Sequence, residues 1–111
     1  MSIRIFSKKT LKSYPYFQRL NLIDYSNQLT NTAKIQKGFV KSDSYWITPL
    51  NFDNTELTIV TVSKWKDFQS WNDWFKSNDR KIIYEKHEKL IEKEEFSILK
   101  NKLTNDDMFL L

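Results

Sequence analysis

Hydrophobic and polar positions alternate most clearly at Leu57-Thr58-Ile59-Val60-Thr61-Val62, a period of two that predicts a strand running to Trp65. The next residues change period. Trp65, Phe68, Trp71, Trp74 and Phe75 fall within eleven positions, and Phe68, Trp71 and Phe75 share one side of a helical wheel, with Trp74 at its border. Asp67 stands where a first-turn or capping acid belongs. These three aromatics are expected in the core. Ser77-Asn78-Asp79 breaks this helix and can cap another. From Asp79 to Lys93, Ile83, Tyr84, His87, Leu90 and Ile91 form one apolar arc opposite a Lys/Glu face that includes the Glu85–Lys89 pair.

The remaining elements are shorter or noisier. Ile3-Arg4-Ile5-Phe6 starts as an alternating strand, and Lys8 to Lys12 reads as a polar connection. A helix is predicted from Tyr16 to about Leu29, with Tyr16, Phe17, Leu20, Ile23 and Asn27 on its packed face and Leu22 and Leu29 off it. Ser13 before Tyr14-Pro15 suits a helix entry. Ala33 to Trp46 is strand-like, and Gly38 within it marks a bulge or a close backbone approach. Pro49 to Asn54 is a turn, and Phe96-Ser97-Ile98-Leu99 a short last strand. Residues 1–100 make one domain, and 101–111 a polar-then-apolar tail whose end, Met108-Phe109-Leu110-Leu111, is expected on a partner chain. The order β-α-β-β-α-β, with the second helix split, predicts an α+β ferredoxin-like fold with a four-stranded antiparallel sheet and helices on one face. The other face then needs a cover, and a second copy of the chain, making a homodimer, is the economical one.

Composition narrows the chemistry. The 111 residues contain no Cys and one His, which removes disulfides, thiolate nucleophiles and Cys- or His-cluster metal sites. The net charge is +4, and Lys8, Lys9 and Lys12 are the one basic cluster. That is too short for a nucleic-acid stripe and is expected to be a solvated surface. No apolar run reaches membrane-spanning length and the N-terminus lacks a signal-peptide core, so a cytoplasmic protein without a membrane partner is expected. Asp106-Asp107 and Glu94-Glu95 are sequence neighbours whose side chains diverge, so they are read as solvated. No Gly-rich phosphate loop or nucleophile elbow occurs.

Gly38-Phe39-Val40, Trp65, Phe68, Trp74, Ser77 and the helical run toward Tyr84 resemble, in type and spacing, the antibiotic-biosynthesis-monooxygenase superfamily of dimeric α/β-barrels. The resemblance covers roughly residues 2 to 99. It implies an apolar pocket for a small aromatic ligand and cofactor-independent monooxygenation of a phenolic or quinol substrate. The alternatives are a non-catalytic haem or small-ligand binder and a structural dimerisation domain. In the haem-degrading branch, Trp74 matches the Trp. Tyr84 stands where that branch has His, and Ser7 lies near the place of its Asn. No cofactor is therefore expected, with haem as the alternative. His87, one helical turn beyond Tyr84, is the candidate general base or haem ligand. Its ordinary alternative is a half-buried helix residue bonded to a carbonyl or carboxylate. Tyr84 is the second catalytic candidate, as a hydrogen-bond donor to a phenolate or carbonyl. Trp74, Ser7 and Trp46 are the pocket-lining candidates. Strand parity leaves open whether Tyr45 or Trp46 points inward.

Overall fold

A computed structural model describes residues 2–11, 18–47 and 57–100. The elements run β1 (Ile3–Leu11), α1 (Gln18–Lys34), β2 (Phe39–Ile47), β3 (Leu57–Trp65), α2 (Phe68–Phe75), α3 (Asn78–His87) and β4 (Ile91–Leu99). The strands form one antiparallel sheet in the order β2-β3-β1-β4. This is the expected ferredoxin-like α+β architecture with its split second helix. The expected turn at Pro49 to Asn54, the tail 101–111, and Ser13, Tyr16 and Phe17 lie outside the described residues.

Capping sets the helix starts. Asp67 has extended backbone and accepts from the Ser70 amide at 2.8 Å and the Ser70 hydroxyl at 2.7 Å. These bonds hold its carboxyl below the usual range and satisfy a first-turn donor. Ser77 Oγ accepts from the Arg80 amide at 3.3 Å and opens α3. Gly38 precedes β2 with φ +93°, and its carbonyl accepts from the Lys66 amide at 2.6 Å. A Cβ there would lie 2.5 Å from Ser70 Cβ and overlap the Ser70 hydroxyl. The close approach expected at Gly38 is thus between the mouth of β2 and the first turn of α2. The bulge lies just beyond, between Phe39 and Lys41.

Several boundaries and faces differ from the sequence expectation. Lys8 to Leu11 is the second half of β1, paired with both β3 and β4, not a connection. The segment from Ala33 begins inside α1, and β2 starts only at Phe39. The helix expected to reach Lys93 stops at His87, and Ile91 already opens β4, which has nine residues. In α1 the packed face is Leu22, Tyr25, Ser26, Leu29 and Ala33, while Leu20 is 66% exposed. The expected face was one step around the helix, because the i, i+3, i+6 run drifts off a 3.6-residue repeat. Phe68, expected in the core, is 44% exposed: it sits at the first position of α2 and leans on Trp71 from outside.

Pleating assigns the two sheet faces. Ile5, Ser7, Lys9 and Leu11 of β1 are all buried beneath the helices, with Ile59 and Trp65 of β3 beside them. Trp46 pairs with Ile59 and Tyr45 with Val60, so Trp46 points to the helix side and Tyr45 to the other. The outer face carries half-buried Phe6, Val60 and Val62, exposed Tyr45, Ile47 and Leu99, and a mixture of charged groups.

Candidate functional site between the sheet and the helices

A cavity lies where α1, α2 and α3 cross the inner sheet face. Its walls are aromatic. Trp65 and Trp74 lie 5.7 Å apart by ring centroid, with Phe39 edge-on to Trp65 at 5.3 Å. Trp71 stacks on Phe75 at 4.8 Å, and Phe75 meets Phe96 edge-on at 5.0 Å. Two of the lining indoles donate to neighbouring hydroxyls. Trp65 Nε1 donates to Ser63 Oγ at 3.0 Å, and Trp74 Nε1 to Thr32 Oγ1 at 3.2 Å.

The floor is polar. Ser7, Lys9, Ser42, Thr61 and Ser63 project from three neighbouring strands, and Ser26 and Thr30 face them from α1. The cavity volume is about 40 Å³. That holds a few waters, against roughly 150 Å³ for a cavity that takes up benzene. An aromatic ring enters only if lining side chains move.

A buried charged group occupies one end. Lys9 is 5% exposed, and its ammonium donates to Ser7 Oγ at 2.9 Å, the two residues being on one face of β1. Burial lowers its pKa to about 8; Glu94 opposes that shift and Arg80 adds to it. Arg80 is 9% exposed. Its Nη2 pairs with Glu94 Oε2 at 3.0 Å, and its guanidinium lies 4.1 Å from the Phe75 ring centroid. Arg80 Nε is buried with no hydrogen-bond partner among the described residues. The Tyr25 hydroxyl donates to Glu94 Oε1. Burial, reinforced by Glu94, drives that phenol far above its ordinary pKa.

The predicted site residues divide in space. Ser7 and Trp74 line the cavity. Trp46 lines a second, more open pocket of about 260 Å³ with Tyr45, Ser44 and Ile23, and Ser26 borders both pockets. Tyr84 is half-buried behind Arg80, its ring centroid 6.0 Å from the guanidinium carbon. His87 is at the α1–α3 seam. Its Nδ1 bonds to the Ile83 carbonyl at 2.8 Å, Nε2 lies 3.7 Å from Asp24 Oδ2, and its ring packs on Tyr25 at 4.9 Å. The lining contains no imidazole, so the donors present in the cavity do not fit a His-ligated haem. No group of three or more His, Cys, Asp or Glu that could hold a metal occurs among the described residues.

The residues that sequence reasoning missed are Lys9, Arg80 and Glu94. Lys9 was expected on a solvated basic surface and Glu94 in a solvated acid pair. Both expectations fail because strand neighbours point to opposite faces: Lys8 and Glu95 go outward, Lys9 and Glu94 inward. A signal did exist. Leu11 is in phase with Ile3 and Ile5, so extending the alternation carries Ser7 and Lys9 to the inner face.

No helix among the described residues is long and apolar enough to cross a membrane. No protein-family model matches the sequence, and no curated protein matches it. Solved structures do. SnoaB, described as a cofactor-independent oxygenase from Streptomyces nogalater, superposes with a TM-score of 0.70 at 12% identity, covering 94% of this chain and 96% of that one. A dimeric protein of unknown function and ferredoxin-like fold from Bacteroides fragilis has a TM-score of 0.71 at 8% identity, covering 90% and 96%. A structure described as an antibiotic biosynthesis monooxygenase has a TM-score of 0.68 at 7% identity, covering 91% and 99%. The chain has the ferredoxin-like fold of these structures.

Proposed function

We propose that the protein binds a small planar aromatic molecule in the cavity between sheet and helices, and that it acts there as a cofactor-independent monooxygenase of a phenolic or quinol substrate. The polar inner face of the sheet carries this reading. A domain that only dimerises would fill the space under its helices with aliphatic side chains. Here the centre of that face is Ser7, Lys9, Ser42, Thr61 and Ser63, ringed by indoles. Ser7 and Lys9 are buried and the others half-buried, and most bond to a neighbouring side chain; the Lys9 ammonium has no ion pair and Arg80 Nε no partner among the described residues, and these two groups suit a polar ligand. The shared fold with SnoaB supports the oxygenase form of the reading.

In this reading Trp74 and Trp65 stack against the ligand plane and Ser7 meets its oxygen atoms. Tyr84 and His87 serve as positioning residues: Tyr84 backs Arg80, and His87 supports Tyr25, whose hydroxyl orients Glu94. An ionised electron-rich ring can itself reduce O₂, one oxygen atom entering the substrate and the other leaving as water. The test is an oxygen electrode with a panel of naphthalene diols and anthrones. Uptake by the wild type that drops at least tenfold in Trp74→Ala supports the oxygenase. Saturable binding with no uptake above the uncatalysed rate would leave a non-catalytic binder. No binding at all would refute the ligand site.

A second copy of the chain is the proposed cover for the outer sheet face, where Tyr45, Ile47 and Leu99 are exposed beside Phe6, Val60 and Val62. The dimeric description of the Bacteroides fragilis protein supports this. Sedimentation equilibrium at micromolar concentration should give a dimer that Val62→Lys dissociates; a monomeric wild type would refute it.

A further inference from the structure

We propose that the cavity selects ligands that carry an ionised oxygen on a planar aromatic ring, and that Lys9 Nζ, assisted by Arg80 Nε, is the subsite that takes this oxygen. The inference rests on the reading of the cavity as an aromatic-ligand site and adds the charge of its ligand.

The buried charges at this end of the cavity do not balance. Lys9 and Arg80 both line the cavity, and both stand over the Phe96 ring, at 6.0 and 5.4 Å from its centroid. The groups facing Lys9 are Ser7 on its own strand, Glu94 on β4, and Arg80 on α3. Glu94 is the one carboxylate of the set, and it is already engaged by Arg80 Nη2 and the Tyr25 hydroxyl. Tyr25 stays a protonated partner and contributes no negative charge at neutral pH. Lys9 forms no ion pair among the described residues. Two cations against one carboxylate leave an excess positive charge at this end of the cavity and one unused donor, Arg80 Nε. A buried charge without a counter-ion is strongly disfavoured, and an anionic ligand supplies what is missing. The lowered pKa of Lys9, about 8, is what an ammonium held without its counter-ion should show.

The test uses three probes of one shape: 2-naphthoate, 2-naphthol and the neutral isostere 2-acetylnaphthalene. Binding is followed by the indole N–H resonances of Trp65 and Trp74, which locate each probe in the cavity. The wild type should bind 2-naphthoate at least tenfold more tightly than 2-acetylnaphthalene at pH 7, and Lys9→Met should abolish that preference. Bound 2-naphthol should show its naphtholate absorption band at neutral pH, and bound naphthol without that band would overturn the selection of ionised ring oxygens. In the wild type itself, the affinity for 2-naphthoate should fall as the pH rises above about 8, because the probe stays ionised while the ammonium is lost. This keeps the proposal falsifiable whatever the variant does. Equal affinities for charged and neutral probes, with indole shifts present, would overturn the anion subsite and leave the aromatic site standing. A preference retained by Lys9→Met would overturn it as well. Absence of indole shifts with every probe would remove the aromatic site and the subsite together.

Discussion

Replacing Lys9 should stabilise the protein. An ammonium buried beneath the helices is disfavoured relative to the unfolded chain, where the same group has its ordinary pKa of 10.5 instead of about 8. That drop corresponds to about 3 kcal/mol against the folded state when both forms are protonated. Lys9→Met keeps the side-chain length and removes the charge. It also removes the hydrogen bond to Ser7, which costs about 1 kcal/mol. The expected net effect at pH 7 is a gain of about 2 kcal/mol. The sign with pH follows from which state holds the extra proton. Between about pH 8 and 10.5 the unfolded wild type keeps the Lys9 proton that the folded form has released, so wild-type stability rises with pH through that window. The variant lacks this term, and its advantage should shrink by about 2 kcal/mol between pH 7 and pH 9.5. Urea denaturation followed by tryptophan fluorescence at both pH values measures the difference, and the comparison cancels every other titrating group. A variant less stable than the wild type at pH 7, or an advantage that does not change with pH, would refute the reasoning. It would mean that Glu94 already neutralises Lys9 in the folded protein.

Gly38→Ala should destabilise by at least about 2 kcal/mol, since φ +93° is unfavourable for any L side chain and the new methyl would meet Ser70; thermal unfolding within a few degrees of the wild type would contradict this. Trp71→Ala should cost about 3–5 kcal/mol, because its indole is wedged between Phe75 and Phe96 in the core. Trp74→Ala should cost less: both indoles line the cavity, but Trp71 also packs on Phe68, Phe75 and Phe96, whereas Trp74 has one aromatic neighbour, Trp65, among the described residues. Equal losses in chemical denaturation would favour a solid core over a ligand site.

Much of the architecture was readable from local pattern. The period of two before Trp65, the aromatic helix after it, and the caps at Asp67 and Ser77 depend on residues a few positions apart, and the structure has each of them. The resemblance at Gly38, Trp65, Trp74 and Ser77 belongs to the same class of information, and it led to the right fold. The same resemblance named Ser7 and Trp74, and both stand in the cavity wall. Tertiary structure alone decided which face of α1 is packed, where Glu94 points, and what charges meet Lys9. Lys9 is in phase with Ile3, Ile5 and Leu11, yet its charge reads as surface, because a charged residue belongs in water unless something compensates it. Here its surroundings are Arg80 and Glu94, more than seventy residues along the chain, and they meet it only once β4 has paired with β1 and α3 has closed over the sheet. Local periodicity reports where water is excluded on average. The sign and balance of the buried charge depend on contacts between distant segments, so they come into being only when the fold does.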